Sequence, residues 1–109
     1  MPHIEYREYR SQDADSFIRL HDTVFPPLPL GFWEIWSRGP VTASVAVMDG
    51  EVVGTVPFCF RDFRLRSDAI VRVAWEFSVG VREDLRGKGI GSRLMHTAKQ
   101  FLRDRCAAM

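Results

Sequence analysis

The sequence predicts an α/β fold (α+β in some schemes), and three stretches carry that expectation. Val71, Val73, Trp75, Phe77, Val79 and Val81 alternate with Arg72, Ala74, Glu76, Ser78 and Gly80, the period of two that belongs to a strand. Ile90, Leu94, Met95, Ala98, Phe101 and Leu102 then recur at helical spacing, which gives one apolar helix face. Upstream, two alternating apolar runs flank Asp49-Gly50, the strongest hairpin signal in the chain.

The elements follow in order. Residues 3–9 alternate, with Ile4 and Tyr6 on one side, and predict a first strand. Ser11 and Asp13 are candidate N-caps, and acidic residues crowd the first turn at Asp13 and Asp15. Phe17, Ile18, Leu20 and Val24 form the apolar face of a helix over residues 12–24. His21 lies on or near that face and reads as a partly buried structural histidine, because no second ligand is in sight. The run from Phe25 to Gly31 ends the helix through its prolines. Pro26-x-x-Pro29 superficially matches a polyproline ligand but reads as a stiff connection.

Phe32, Trp33, Ile35 and Trp36 predict a short aromatic helix that stops at Gly39-Pro40. Val41–Met48 and Glu51–Phe60 are the two arms of the hairpin. Pro57 donates nothing to a ladder, so it predicts a bulge or an unpaired edge at that point. Residues 61–68 read as a charged loop or frayed hairpin tip leading to the central strand at 71–81. The predicted order is β-α-α-β-β-β-α, with no repeats, low-complexity tracts or linkers.

Length and composition bound the rest. At 109 residues, 46% hydrophobic and 27% charged, the chain is one soluble globular domain or part of one. Lys and Arg (15) nearly balance Asp and Glu (14), so nothing global argues for nucleic acid or an anionic membrane as partner. Cys59 and Cys106 fit no metal spacing, so no metal site is expected; they could pair with each other, but two reduced thiols are the simpler reading. No apolar run approaches the length of a membrane span, and the charged N-terminus is no signal peptide. The expected compartment is the cytoplasm.

Arg86-Gly87-Lys88-Gly89-Ile90-Gly91-Ser92 joins the central strand to the last helix. The first N–H groups of a helix have no partner within it, and the helix dipole places about half a positive charge there. Glycines remove the Cβ atoms that would hold a phosphate off the backbone, and Arg86 and Lys88 add formal charge. A diphosphate fits that environment. The spacing meets neither Gly-x-Gly-x-x-Gly nor the Walker pattern.

Arg86-x-x-Gly89-x-Gly91 after a strand ending in Val81 resembles the acetyl-CoA-binding motif of the GNAT N-acetyltransferases, and the order of elements over residues 3–106 is similar to that family's. The resemblance implies a mixed, mostly antiparallel sheet flanked by helices. It also implies transfer of an acetyl group from acetyl-CoA to a primary amine of an unidentified acceptor. The coenzyme pyrophosphate would lie on residues 86–92. The backbone around Val79 and Val81, aided by a bulge at Gly80, would meet the pantetheine and thioester. Phe32 and Trp33 would border the acceptor, and their character hints at an apolar one, although packing in the core accounts for it equally well.

Glu76 is the candidate base, since partial burial in an apolar strand would raise its pKa; Ser78 would share its face. The competing reading makes Glu76 a structural carboxylate paired with Arg72. A complete domain of this family continues with a strand, a helix and two more strands, and the usual general-acid tyrosine lies after the last helix seen here. This chain has only Tyr6 and Tyr9. Residues 1–109 are therefore expected to be a single domain truncated after the coenzyme-binding helix. It would be either part of a longer protein or completed by a partner chain, such as a second copy. The alternative function is a non-catalytic acyl-CoA-binding or dimerisation module. Two exposures are also expected: an unpaired edge on the central strand, and an uncovered stripe at Leu94, Ala98 and Phe101. Both would drive isolated 1–109 to associate.

Overall fold

The computed structural model describes residues 3–26, 28 and 31–109, with Trp33 and Ser37 described by their backbone alone. Its antiparallel sheet has the order β1 (Glu5–Glu8), β2 (Val41–Met48), β3 (Glu51–Arg64), β4 (Ile70–Glu76), and a two-residue β5 (Gly80–Val81) pairs with β3 beside β4. A 3-10 turn at Ser11–Asp13 leads into α1 (Ala14–Val24), and α2 (Phe32–Arg38) precedes the hairpin. A second 3-10 turn at Glu83–Leu85 precedes α3 (Ile90–Leu102).

The helices cover opposite faces of the sheet. Phe17 and Leu20 of α1 bury against Ala43, Val45, Val47 and Val52. Ile90, Leu94, Ala98 and Leu102 of α3 bury against Ala46, Val53, Val56, Phe58 and Ala74. The apolar stripe of α3 is therefore not left uncovered, contrary to the expectation from sequence. It lies across the middle of the sheet, where a Cβ on Gly54 would come within 3.1 Å of Ile90 and 3.2 Å of Leu94. The glycine lets helix and strand approach closely.

The hairpin turns at Asp49 (φ 52°) and Gly50 (φ 78°), the two positive values that a type I′ turn requires. β3 runs past its expected end. The supposed loop after Phe60 is paired up to Arg64↔Ile70, and Asp62 faces Arg72 with its carboxylate 3.0 Å from the guanidinium. Charged residues hide this part of the strand from a hydropathy reading because both of its faces meet solvent.

The central strand is interrupted. Phe58 pairs with Glu76 and Thr55 with Gly80, so Val56 and Pro57 oppose the three residues Phe77, Ser78 and Val79. One extra residue on one side is a β-bulge. The carbonyl of Pro57 accepts from the N–H of Phe77 at 3.2 Å, and its ring nitrogen has no proton to donate in return. The interruption expected at Pro57 is thus present, on the partner strand. Beyond β4, Ala107 and Ala108 bond to Arg72 and Ala74 in a parallel bridge along its outer edge.

No helix among the described residues is long and apolar enough to cross a membrane. Arg7 donates to both carboxylate oxygens of Asp13 (2.7 and 2.8 Å), and Asp13 also accepts from the Arg10 N–H at 2.8 Å, which ties β1 to the start of α1. The hydrogen bonds from Arg7 hold the Asp13 carboxyl below its usual range, although burial opposes them. A depressed carboxylate pKa stabilises the fold above the unfolded value of about 3.9 and is lost as pH falls through the folded value. Asp13→Asn is expected to cost on the order of 3 kcal/mol at neutral pH, because the mostly buried Arg7 guanidinium then keeps only the exposed Glu5 carboxylate at 3.4 Å and the Glu8 carbonyl as partners. Urea midpoints should show the gap to wild type narrowing below pH ~4.

Candidate functional site

The loop ahead of α3 is shaped by two left-handed glycines, Gly87 (φ 78°) and Gly89 (φ 80°), a conformation that costs glycine little. Gly89 is the N-cap, and no side chain caps the helix. The amides of the first turn are therefore left for solvent or a ligand. Around Gly87, Gly89 and Gly91 the space a Cβ would take is open. Leu85 anchors the loop in the core on the α3 side, and Arg82 grips Asp84 with bonds of 2.7 and 3.0 Å.

The predicted loop residues are together, but not all contribute by side chain. Lys88 is exposed, and Ile90 is buried at 3% exposure, so Ile90 offers only its backbone. Arg86 turns back to donate from Nε to the Val81 carbonyl at 3.2 Å. That bond engages the Val81 oxygen and braces the loop against β5. Tyr6 lies under the Arg93 guanidinium at 4.7 Å, and Tyr9 packs edge-on to Phe17 at 5.4 Å, both against the helices rather than at this loop.

A groove of about 440 Å³ starts at Gly91 and Ser92 and runs between α3 and Val79. Through Met95 and Lys99 it meets a second hollow of about 490 Å³ beside Trp75 and Glu76. Val79 is 46% exposed and faces this groove, whereas the Val81 side chain packs into the core. Among the described residues no group of three or more His, Cys, Asp or Glu could hold a metal ion.

Glu76 does not have the burial that its expected role as base required. It is exposed, and it stands directly across from Phe58, on the α3 side of the sheet. Nor does it pair with Arg72, which bonds Asp62. The bulge also breaks the shared face expected of Glu76 and Ser78. Phe77 meets Trp36 of α2 with ring centroids 6.4 Å apart, and Ser78 meets His21 of α1, so two consecutive residues turn to the α1–α2 side. An added residue in one strand reverses the facing of everything beyond it.

On that side lies a cavity of about 560 Å³ lined by Phe25, Pro26, Leu28, Phe32, Phe77 and, as polar groups, His21 and Ser78. Phe32 borders it as expected; the side chain of Trp33 lies outside the described residues. Sequence reasoning missed His21 and Ser78 as site residues. His21 is 4% exposed, its Nε2 is 3.4 Å from the Ser78 hydroxyl, and its ring lies 4.6 Å from that of Phe25. Burial pushes the imidazole pKa down from its ordinary value, and Asp22 opposes that shift. The one signal in the sequence was Pro57, which marks where the facing strand must break.

Residues 5–109 match the Acetyltransferase (GNAT) family. The chain belongs to the GNAT acetyltransferases. Solved structures agree in fold with this GNAT chain. A Trypanosoma brucei acetyltransferase is 21% identical with a TM-score of 0.74, over 97% of this chain and 80% of that one. The aminoglycoside N-acetyltransferase AAC(6')-Iy in complex with CoA is 16% identical with a TM-score of 0.78, over 100% of this chain and 76% of that one. Glucosamine-6-phosphate N-acetyltransferase from Arabidopsis thaliana is 19% identical with a TM-score of 0.70, over 97% and 79%. No curated protein sequence matches the chain.

Ser78 adopts φ 86°, a strained value for a residue with a Cβ. Ser78→Gly and Ser78→Ala both remove the hydroxyl, so their difference isolates the backbone term. The glycine variant is expected to be the more stable by about 1 kcal/mol, against the usual preference in strands. Denaturant midpoints of the two variants check this.

Proposed function

We propose that this GNAT domain transfers an acetyl group from acetyl-CoA to a primary amine carried on an apolar acceptor. The observation that carries the proposal is the bulge between β4 and β5. Its adjacent residues open onto different spaces: Val79 lines the groove that begins at the α3 N-terminus, and Ser78 lines the apolar cavity on the other side. Two substrates entering from opposite faces of the sheet would meet at this interruption.

The coenzyme takes the groove. Its pyrophosphate would lie on the amides of residues 89–92, with the charge of Lys88 beside it, and its pantetheine would run along Val79 and α3. AAC(6')-Iy is known in complex with CoA, which supports this choice of donor. Acetyl transfer asks mainly that thioester and amine be held together in a near-attack geometry. The amine must arrive, or become, unprotonated; its lone pair then attacks the thioester carbon and the CoA sulfur departs. Phe25, Leu28, Phe32 and Phe77 suit an aliphatic or aromatic acceptor better than a sugar.

Gly91→Asp tests the coenzyme assignment. Open space surrounds the added Cβ, and an acidic residue in a first helical turn is favourable, so the variant should fold with equal or slightly greater stability. Its acetyl-CoA affinity should fall roughly ten- to hundredfold, the loss of about 1.5–3 kcal/mol from a charge-assisted contact. Calorimetry measures it; unchanged affinity would sink the loop assignment. Added salt should weaken wild-type binding as well, because exposed ionic contacts are screened.

A further inference from the structure

We propose that His21 accepts the proton of the acceptor ammonium through the hydroxyl of Ser78, so that the base of this enzyme stands on α1 rather than on the central strand. The proposal deepens the acetyltransferase reading above and rests on it.

The geometry comes from three elements. The last turn of α1 places His21 at 4% exposure on the inner side of the acceptor cavity. The bulge turns Ser78 towards that cavity, when an unbroken strand would have kept it on the face of Glu76. Its hydroxyl lies 3.4 Å from His21 Nε2, a long hydrogen bond of the kind that tightens when substrate binds. Phe25, Phe32 and Phe77 form an apolar surround for this pair and bring no charge to it. Among the described residues Asp22, the next residue on α1, acts on the ring as a charge that raises its pKa, and burial outweighs it. At neutral pH the imidazole is therefore neutral and able to take a proton. The backbone strain at Ser78 is consistent with a residue held for a purpose.

The proton path closes without any further reactant. Ser78 donates its hydroxyl proton to Nε2 of the Nδ1-protonated tautomer and accepts one proton from R–NH₃⁺ in exchange. The free amine lone pair forms the new C–N bond at the thioester carbonyl carbon. The C–S bond breaks, CoA departs as thiolate, and the second proton leaves the attacking nitrogen for that sulfur. The products are R–NH–acetyl and CoA thiol. His21 then releases its proton to solvent through the mouth of the cavity.

The test uses 2-phenylethylamine as acceptor probe and follows thiol release from acetyl-CoA between about pH 5 and 9. Wild type, His21→Gln, Ser78→Gly and Glu76→Gln are compared, and acetyl-CoA affinity is measured for each. Wild-type kcat/KM should fall tenfold per pH unit below a pKa lower than the ordinary histidine value of 6.5. His21→Gln should lose that acidic limb and run roughly a hundredfold slower at neutral pH, with coenzyme affinity intact. Ser78→Gly should be slowed at least about tenfold.

A His21→Gln enzyme that keeps the limb overturns the relay, and so does loss of the limb in Glu76→Gln instead. A second measurement needs no variant: addition of the amine to wild type should shift the His21 ring resonances. If wild type binds acetyl-CoA yet neither acetylates the amine nor shows that shift, the relay is overturned as well. Failure to bind acetyl-CoA at all counts against the acetyltransferase reading itself.

Discussion

Pro57 lacks an N–H, and the arrangement of the sheet depends on that missing donor. Its neighbours on β3 are paired on both sides, to β2 through Ala43↔Pro57 and its flanking pairs, and to β4 up to Phe58↔Glu76. At Pro57 itself the ladder can only accept. The facing strand takes one extra residue there and resumes at Gly80. Everything beyond the extra residue changes face, which is why Ser78 opens onto the cavity under α1 while Val79 opens onto the groove under α3. A sheet that separates two spaces is thereby breached at one point.

The position of α3 is the second condition. Its N-terminus must arrive at the end of the groove, and the helix can sit there only by lying close to the sheet. Gly54 permits that approach, being the strand residue on which Ile90 and Leu94 rest. The uncapped first turn, the two left-handed glycines and Lys88 follow from where the helix begins. The same contact buries the apolar stripe of α3, so the exposed start of that helix and the core on that side share one packing decision.

Charge is used locally rather than globally. With a formal net charge of +1, the chain has no long-range field to speak of. Arg7–Asp13, Arg105–Glu8 and Arg82–Asp84 are spent on holding β1, the C-terminal segment and the loop before α3. Glu8 illustrates this: the hydrogen bonds from Arg105, helped by that of Thr42, hold its carboxyl below the usual range. The cavity under α1, by contrast, is lined among the described residues by apolar side chains apart from His21 and Ser78.

Much of this could be read from the chain alone. Asp49-Gly50 determined the hairpin, the helical spacing from Ile90 to Leu102 determined α3, and the glycines between Arg86 and Ser92 determined the left-handed loop and uncapped helix start between β5 and α3. Each of these is a local pattern, set by φ requirements or by periodicity within a dozen residues. The sequence also marked the break at Pro57. Tertiary structure decided what that break does. Alternation from Val71 to Val81 implied one continuous face, and only pairing with β3 showed that the register slips by one. That slip moved Ser78 away from Glu76 and towards a histidine 57 positions earlier. No local pattern encodes such a meeting, because it depends on how two elements distant in the chain are packed. The exposure of Glu76 and the burial of His21 were settled by the same packing: hydropathy describes a residue, and burial describes its neighbours.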